Sequence, residues 1–584
     1  MKKTLKSAIC IALAAALLLA AALFVFAGTG TSENELKLLV ASDIHYRPFS
    51  VLPPLSETNG LPGDPLFYHV NTKGMLTYEA DAVIDAFFRQ AERSGAKFLL
   101  IPGDLSEEGH WAEHLGIAAK LTEFKANTGI QVFVTPGNHD IRTSASQNRL
   151  NLEDFVEIYD DFGFNEALTR HDGSASYTAE LDAGYRLLAI DTCVYRDDKS
   201  FLSDELFDWV KEQALTARRD GKKLIAMTHY NVLEHFGIEG LAADMLCAHR
   251  YRELSTALAD LGVKYVFTGH GHANDISHAV TKQGNKIFDI ETGSLITYPN
   301  AWREVVFSDA SVKIETKYVE EIDTGLLPPG FSDAQIALMN SDFQKYSFDY
   351  HRAGFRSYAY MIPDLTKTLA DALNVTADSA GYAAIEAAVG ALADAVKLPL
   401  YGETNSVGAV AKKAGVTLSP SEYVNLLDLA GTIYAGHYAG NENYPMDSLE
   451  VRLLGQAINA ILVTALTDTP VKAANALFAA MGMEYLAFPE PEILLTLAAK
   501  RIYARTAAKV ITNELVNTLA QGIFTDWSAP DDLNAVLEPY GESWALDGAA
   551  TKITDFTFIL DLVTRVFRMV LDIVWKIGTF SFLK

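Results

Sequence analysis

A chain of 584 residues with a formal net charge of -26 is too long for one ordinary hydrophobic core and too acidic to attract a polyanion. Two domains are therefore expected, and nucleic-acid binding is not. Hydrophobic residues make up 49% of the chain, which excludes extended disorder as its dominant state.

The first feature in chain order is a targeting signal. Lys2, Lys3 and Lys6 precede an uninterrupted apolar run from Ala8 to Ala27, and small and polar residues follow from Gly28 to Glu35. A basic start, an apolar middle and a small-residue exit describe a secretory signal of bacterial type. The run is also nearly long enough to span a bilayer as an uncleaved anchor. Residues 1–30 are thus expected to be a signal peptide or an N-terminal membrane anchor. Either one places the rest of the chain outside the cytoplasm, secreted or attached to the membrane or cell envelope through this segment. Of three cysteines, Cys10 lies in the apolar run, leaving Cys193 and Cys247. Two thiols make neither a disulfide framework nor a thiolate metal site, so any metal must be held by nitrogen and oxygen donors.

From Leu36 to about Ile322, short β-rich runs alternate with amphipathic helical patterns. The runs Leu36–Ala41, Lys97–Ile101, Gln131–Thr135, Arg186–Ile190, Lys223–Met227 and Lys264–Thr268 predict strands. Several are almost wholly apolar, as strands covered on both faces are. Tyr78–Arg93, Ala112–Lys125 and Ser203–Arg219 predict helices between them, and Ile276–Thr281 with Lys286–Glu291 predicts a hairpin. This is the pattern of a layered α/β domain over residues 36–322. Beyond Gly325 to Gly330, with Pro328 and Pro329, the rhythm changes. Residues 331–584 read as an all-helical, Ala/Leu-rich domain, with helices at Tyr382–Val396, Leu449–Leu466 and Glu492–Gln521 separated by Pro420, Pro470, Pro489 and Pro491. The apolar stretch Phe556–Leu583 is punctuated by Asp561, Arg565, Arg568, Asp572 and Lys576. Those charges favour a packed helix over a membrane span, with an interfacial helix as the alternative.

Chemistry-bearing residues gather where the predicted strands end. The first strand runs into Asp43 and His45, the second into Gly103 and Asp104, and the third into Gly137, Asn138, His139 and Asp140. A later strand runs into His229, and the last into Gly269, His270, Gly271 and His272. Ligands of open α/β sheets bind at this edge. The donor types suit phosphoester hydrolysis, which needs a hydroxide at neutral pH, neutralisation of phosphoryl oxygens and an acid for the leaving group; two cations sharing a carboxylate supply the first two. Each motif alone is common by chance, whereas five in order after predicted strands are not.

This order (D-x-H, G-D, G-N-H-[DE], H and G-H-x-H) resembles the calcineurin-like metallophosphoesterase superfamily. Gly103 to Ser106 and Gly269 to Ile276 look more like its bacterial phosphodiesterase and phosphatase branches. The resemblance implies a four-layered α/β/β/α sandwich, here followed by the all-α C-terminal domain. It implies that Asp43, His45 and His272 hold one divalent metal ion, that Asn138, His229 and His270 hold a second, and that Asp104 bridges them. Imidazole and carboxylate donors accommodate Mn, Fe, Zn or Ni. His139 would protonate the leaving group of the phosphate-ester substrate after in-line attack by metal-bridging hydroxide, and Asp140 would orient His139. By itself, Asp140 also reads as a helix cap. Tyr46 and Arg47 follow the first motif and are candidates for phosphate contact. In purple acid phosphatases the G-D motif continues to a ligating tyrosine; here Glu107 follows Ser106, which sets the chain apart from that subgroup.

Two rival readings remain. A non-catalytic binding module on the same fold would typically have lost ligands, and this chain keeps every one. A zinc peptidase would use His110, Glu113 and His114, which match H-x-x-E-H, the inverted zinc-peptidase signature. On a helix those two imidazoles would share a face. That reading leaves the other five motifs unexplained.

Overall fold

The computed structural model describes residues 35–55, 74–141, 150–182, 184–194, 199–236, 239, 243–355, 382, 397–441, 443–468, 471, 475, 484–490, 496–522 and 532–540. The targeting segment, nearly all of the expected helix at Tyr382–Val396 and the stretch Phe556–Leu583 lie outside these residues. Among the described residues, no helix is long and apolar enough to cross a membrane.

The elements begin with β1 (Leu36–Val40), α1 (Ala80–Ser94), β2 (Phe98–Pro102), α2 (Trp111–Thr128) and β3 (Gln131–Thr135). Next come α3 (Leu152–Ile158), β4 (Ala167–Arg170), β5 (Tyr177–Glu180), β6 (Tyr185–Ile190) and the short pair β7 (Cys193–Val194) and β8 (Lys199–Ser200). Then follow α4 (Asp204–Arg219), β9 (Lys223–Thr228), α5 (Ala243–Leu246), α6 (Tyr251–Asp260) and β10 (Tyr265–Thr268). The strands β11 (Asp275–Val280), β12 (Lys286–Glu291), β13 (Ala301–Phe307) and β14 (Val312–Tyr318) end this region. All six expected single strands form, with bounds within a residue of those read from the sequence.

Two mixed sheets organise the strands. One runs β15-β14-β13-β1-β2-β3, where β15 is Asn534–Leu537, and the other β11-β12-β10-β9-β6-β5-β4. Within the first, β1, β2 and β3 are parallel; within the second, β6, β9, β10 and β12 are parallel. Side-chain parity shows why the central strands read as continuous apolar runs. Leu187 and Ala189 of β6 and Ile225 and Met227 of β9 enter a core shared with Leu38, Leu99 and Ile101 of the other sheet. Their neighbours Leu188, Ile190, Leu224 and Ala226 pack instead with Leu206, Val210 and Ala214 of α4 and with Leu254 and Leu258 of α6. Each strand is covered on both sides because successive residues face opposite ways. The helix α4 starts where Ser203 accepts a bond from the Leu206 N–H at 3.1 Å, the N-cap arrangement that satisfies an otherwise orphaned donor.

The sequence reading missed the β4–β5 hairpin and the β13–β14 pair. Arg303 and Glu304 interrupt the apolar run of β13, yet Arg303 is fully buried. Its guanidinium donates to the carbonyls of Glu291 at 2.7 Å and Asp532 at 2.6 Å and to the Thr316 hydroxyl at 3.0 Å. Hydrogen bonds from both terminal nitrogens offset much of the cost of burying that charge, and such a partner set is invisible to local patterning.

The C-terminal region is helical as expected. It contains α7 (Asp333–Ser341), α8 (Phe343–Phe355), α9 (Val407–Ala414), α10 (Leu426–Tyr438), α11 (Leu449–Asp468) and α12 (Leu497–Gly522). Ala411, Ala460, Val463, Ala507 and Ile511 form the core of α9, α11 and α12, and Leu429 and Ile433 of α10 pack with Leu453 of α11. One strand, β15 (Asn534–Leu537), lies in this region and pairs antiparallel with β14. Its four residues are too few to register a period of two, although Ala535 and Leu537 do face the core. The chain therefore leaves the α/β region through α7 and α8 and returns to it at residues 532–540. Met339, Phe343 and Tyr346 at the exit and Tyr540 at the return all belong to the α/β core.

Candidate metal centre

The parallel strands β1, β2, β3, β9 and β10 all end at one edge of the two facing sheets, and the loops there carry every motif residue. These loops are strained. Asp43, His45, Asp104, His270 and His272 all have positive φ, between 43° and 71°. Left-handed backbone disfavours residues with a Cβ by roughly 1–2 kcal/mol each, and persists only where the surroundings hold it. Here the loops brace one another: the Asp43 and His45 N–H groups donate to the carbonyls of Gly103 and Asp104, and the Gly269 N–H to that of His229. Two glycines permit the approach. A Cβ on Gly103 would sit 2.6 Å from the His229 ring, and one on Gly137 would sit 2.1 Å from an Asp104 carboxylate oxygen.

This bracing brings seven candidate ligands together. Asp43, His45, Asp104 and His272 form one group whose donor atoms lie within 4.8 Å of one another, and Asp104, His229 and His270 form another. In the first, His45 Nε2 and His272 Nε2 are 3.0 Å apart, and Asp43 Oδ1 lies 3.4 Å from His272 Nε2. In the second, His229 Nε2 lies 3.0 Å from Asn138 Oδ1 and 3.2 Å from His270 Nδ1. The single oxygen Asp104 Oδ2 stands between the groups, 3.4 Å from His45 Nε2 and 3.3 Å from His229 Nε2. Its partner Oδ1 accepts from the His139 N–H at 2.8 Å. Outer contacts set the ring orientations: His229 Nδ1 donates to the Pro102 carbonyl at 2.9 Å, and His270 Nε2 to that of Met245 at 2.6 Å.

The electrostatics ask for a cation. Burial works to raise the Asp43 carboxyl, but His272 and His45 hold it far below the usual range. Asp104 is likewise driven down against burial by His229, His139 and His45. Burial pulls His45 and His229 toward neutrality, yet the carboxylates of Glu107 and Asp104 hold His45 up to about 10, and Asp104 holds His229 up to about 9. His270 goes the other way, to about 3, through burial and the neighbouring His229. Buried carboxylates that keep imidazoles charged demand positive charge at this point, and divalent ions held by the same atoms provide it. The donor set fits.

Residues 36–274 match the family model described as calcineurin-like phosphoesterase. That stretch spans the parallel strands β1, β2, β3, β6, β9 and β10 and all five motif loops. Residues 36–274 are a calcineurin-like phosphoesterase domain. No curated protein matches the chain. Among solved structures, a dimetal phosphatase from Danio rerio is similar at 11% identity and a TM-score of 0.36, covering 49% of this chain and 98% of that one. A purple acid phosphatase from yellow lupin (Lupinus luteus) is similar at 11% identity and a TM-score of 0.33, covering 49% of this chain and 52% of that one. A phosphopantetheinyl hydrolase from Mycobacterium tuberculosis is similar at 11% identity and a TM-score of 0.24, covering 45% and 91%.

The phosphoesterase domain gives Asp140 partners other than the ring it was expected to orient. Its carboxylate accepts from the N–H groups of Gly137 at 2.8 Å, Leu105 at 3.2 Å and Ser106 at 2.8 Å, and from the Ser106 hydroxyl. It thus ties the G-D loop to the G-N-H-D loop. Burial and the Asp104 charge push its pKa up to about 7 against those donors. Beside the His139 ring lies Glu107, which the sequence marks only as a departure from a subgroup. His139 Nδ1 lies 2.5 Å from the Glu107 carbonyl and 3.7 Å from its carboxylate, and the same carboxylate lies 2.6 Å from His45 Nδ1. Glu107 therefore joins a candidate ligand to the candidate acid. Only its position three residues after Asp104 could have flagged it.

Tyr46 and Arg47, the candidates for phosphate contact, each meet an acid of the chain. Tyr46 donates to Asp81 at 3.3 Å, and the buried Arg47 pairs through Nε with Glu113 at 2.9 Å. That pairing also removes the peptidase reading. Glu113 closes a capping box at the start of α2, accepting from the Glu108 and His110 N–H groups. His114 meets Tyr159 Oη at 2.8 Å through Nδ1 and the Asp140 carbonyl at 2.9 Å through Nε2. Its donors are already used, and His110, Glu113 and His114 do not appear among the described groups whose geometry suits a metal.

Proposed function

We propose that the chain hydrolyses phosphate esters with two divalent ions, as a phosphodiesterase or phosphatase acting outside the cytoplasm. The observation that carries this is Asp104 Oδ2, placed between the His45 and His229 imidazoles of two adjoining donor groups. Asp43, His45 and His272 would hold one ion, Asn138, His229 and His270 the other, and Asp104 both. When bound, such ions neutralise phosphoryl oxygens and acidify a water molecule. His139 Nδ1 is engaged with the Glu107 carbonyl, so Nε2 is the atom that would pass a proton to the leaving oxygen. The address rests on Lys2, Lys3 and Lys6 before the apolar run.

The test is hydrolysis of bis-p-nitrophenyl phosphate and p-nitrophenyl phosphate with Mn²⁺ and with EDTA. Turnover that requires metal and disappears in Asp104→Ala supports the enzyme, and the faster substrate separates diesterase from monoesterase. Two bound ions with no turnover of either ester would favour a binding module instead.

A further inference from the structure

The helical region returns to the phosphoesterase domain in the middle of its sequence, at the metal-candidate loops. The last turn of α10 lies against two of them at once. Tyr438 sets its ring edge-on to His272, with centroids 6.1 Å apart. Its carbonyl accepts from the Asn274 backbone at 3.2 Å and the Asn274 side chain at 3.0 Å. On the other side, His437 meets Phe236 in a T-shaped contact at 5.5 Å. Phe236 lies in the loop that starts at His229, and Asn274 in the loop that starts at His270. The end of α10 therefore bridges the loops that carry ligands of both donor groups.

This placement is anchored rather than incidental. At the exit from the domain, Gln344 of α8 donates to the carbonyls of Pro299 and Val319 at 2.9 and 2.7 Å. His351, one turn from the end of α8, stacks on Tyr434 of α10 at 5.4 Å. At the return, the Ile276 N–H donates to Asp532 at 3.1 Å, and the Tyr540 hydroxyl donates to the Leu224 carbonyl at 2.6 Å. Both ends of the helical region are fixed to the α/β core, so α10 is held at the rim of the site. Tyr438 is 5% exposed and serves as the anchor. His437 and Phe236 keep part of their surface exposed.

We infer that Phe236 and His437 form one wall of the substrate cleft and select phosphoesters whose organic group is planar and apolar. This rests on the phosphoesterase reading for the identity of the ligand. Two rings meeting edge to face, one on the loop after His229 and the other next to the Tyr438 that meets His272, offer an aromatic group a surface that an alkyl group cannot use as well. The wall combines a residue of the phosphoesterase domain with one contributed about two hundred residues later in sequence, which gives the helical region a role in specificity.

Calorimetric binding of phenylphosphonate and methylphosphonate to the Mn²⁺-loaded full chain tests this without turnover. The wild type is expected to bind phenylphosphonate about tenfold more tightly. Phe236→Ala/His437→Ala is expected to bring the two affinities together while keeping the Mn²⁺ stoichiometry. Should the double variant fail to fold, His437→Ala alone, at a partly exposed position, is expected to reduce the preference by about half on a logarithmic scale. Equal binding of the two phosphonates by the wild type, or an undiminished preference in a folded variant, would overturn the wall. Hydrolysis of p-nitrophenyl phenylphosphonate then separates the two ideas: a phenyl preference in binding without hydrolysis removes the enzyme and leaves the wall, whereas hydrolysis without the preference does the reverse.

Discussion

The phosphoesterase domain holds two constellations of histidine and acid, the second starting six residues after Asp104 of the first, and they have opposite fates. At the strand ends, His45 Nε2 and His272 Nε2 converge at 3.0 Å with Asp43 and Asp104 beside them. At the start of α2, both His114 nitrogens are taken by Tyr159 and the Asp140 carbonyl, and Glu113 is taken by a helix cap and Arg47. Both sets have ligand chemistry, but only one leaves its donor atoms aimed at a common point. The backbone shows the difference too, since the strand-end residues accept left-handed conformations, whereas the second set builds a regular capped helix. A metal motif is thus defined by donors that converge, and a matched spacing does not supply that property.

Substitutions can break that contrast, and the largest effect is expected at its centre. Asp104→Ala should lose both ions by elemental analysis and fall to background turnover; full metal content in that variant would end the bridging assignment. His139→Ala should keep its metals and lose about 10²- to 10⁴-fold in kcat, so a metal loss there would move His139 from acid to ligand. Glu107→Gln should weaken metal binding about 10- to 100-fold through the His45 ring it orients, read as a shift in the metal activation curve. An unchanged curve would reduce Glu107 to a bystander.

The smallest effect belongs to the second constellation. His114→Gln should leave metal content and turnover in place and cost about 1–3 kcal/mol of stability for the buried partners it leaves unpaired. Its pH signature has a definite sign. Burial pushes His114 down to about 4 in the folded state, against about 6.5 when unfolded. The unfolded chain therefore binds the extra proton between these values. His114 favours the fold fully above pH 6.5 and loses that contribution as pH falls toward 4, by up to about 1.4 kcal/mol per unit. Denaturant titrations across this window should show a shallower slope in His114→Gln than in the wild type, and equal slopes would mean the imidazole is not held neutral.

Local pattern suffices where one short stretch carries the whole signal. The strands β1, β2, β3, β6, β9 and β10 announce themselves through apolar runs covered on both faces, and the motif residues follow directly at their ends. The elements missed were those whose logic is distant. β13 holds a buried Arg303 satisfied by carbonyls of Glu291 and Asp532, and β15 is four residues that become a strand by pairing with β14. The same division runs through the site. Asp43, His45, Asp104, Asn138, His229, His270 and His272 were legible as candidate ligands because identity and order suffice for that. The partners of Asp140, the contact between Glu107 and His139, and the occupation of His114 were not, because a side chain's hydrogen bonds depend on which loops lie beside it.

By itself, then, the sequence determined an α/β region, a helical region after it, and a set of metal-competent residues at strand ends, since periodicity and donor chemistry are local properties. Only the tertiary structure decided which donors converge, that Asp104 Oδ2 stands between two groups, and that α10 reaches the rim beside Phe236 and His272. Those outcomes depend on the packing of segments hundreds of residues apart, and distance along the chain carries no record of it.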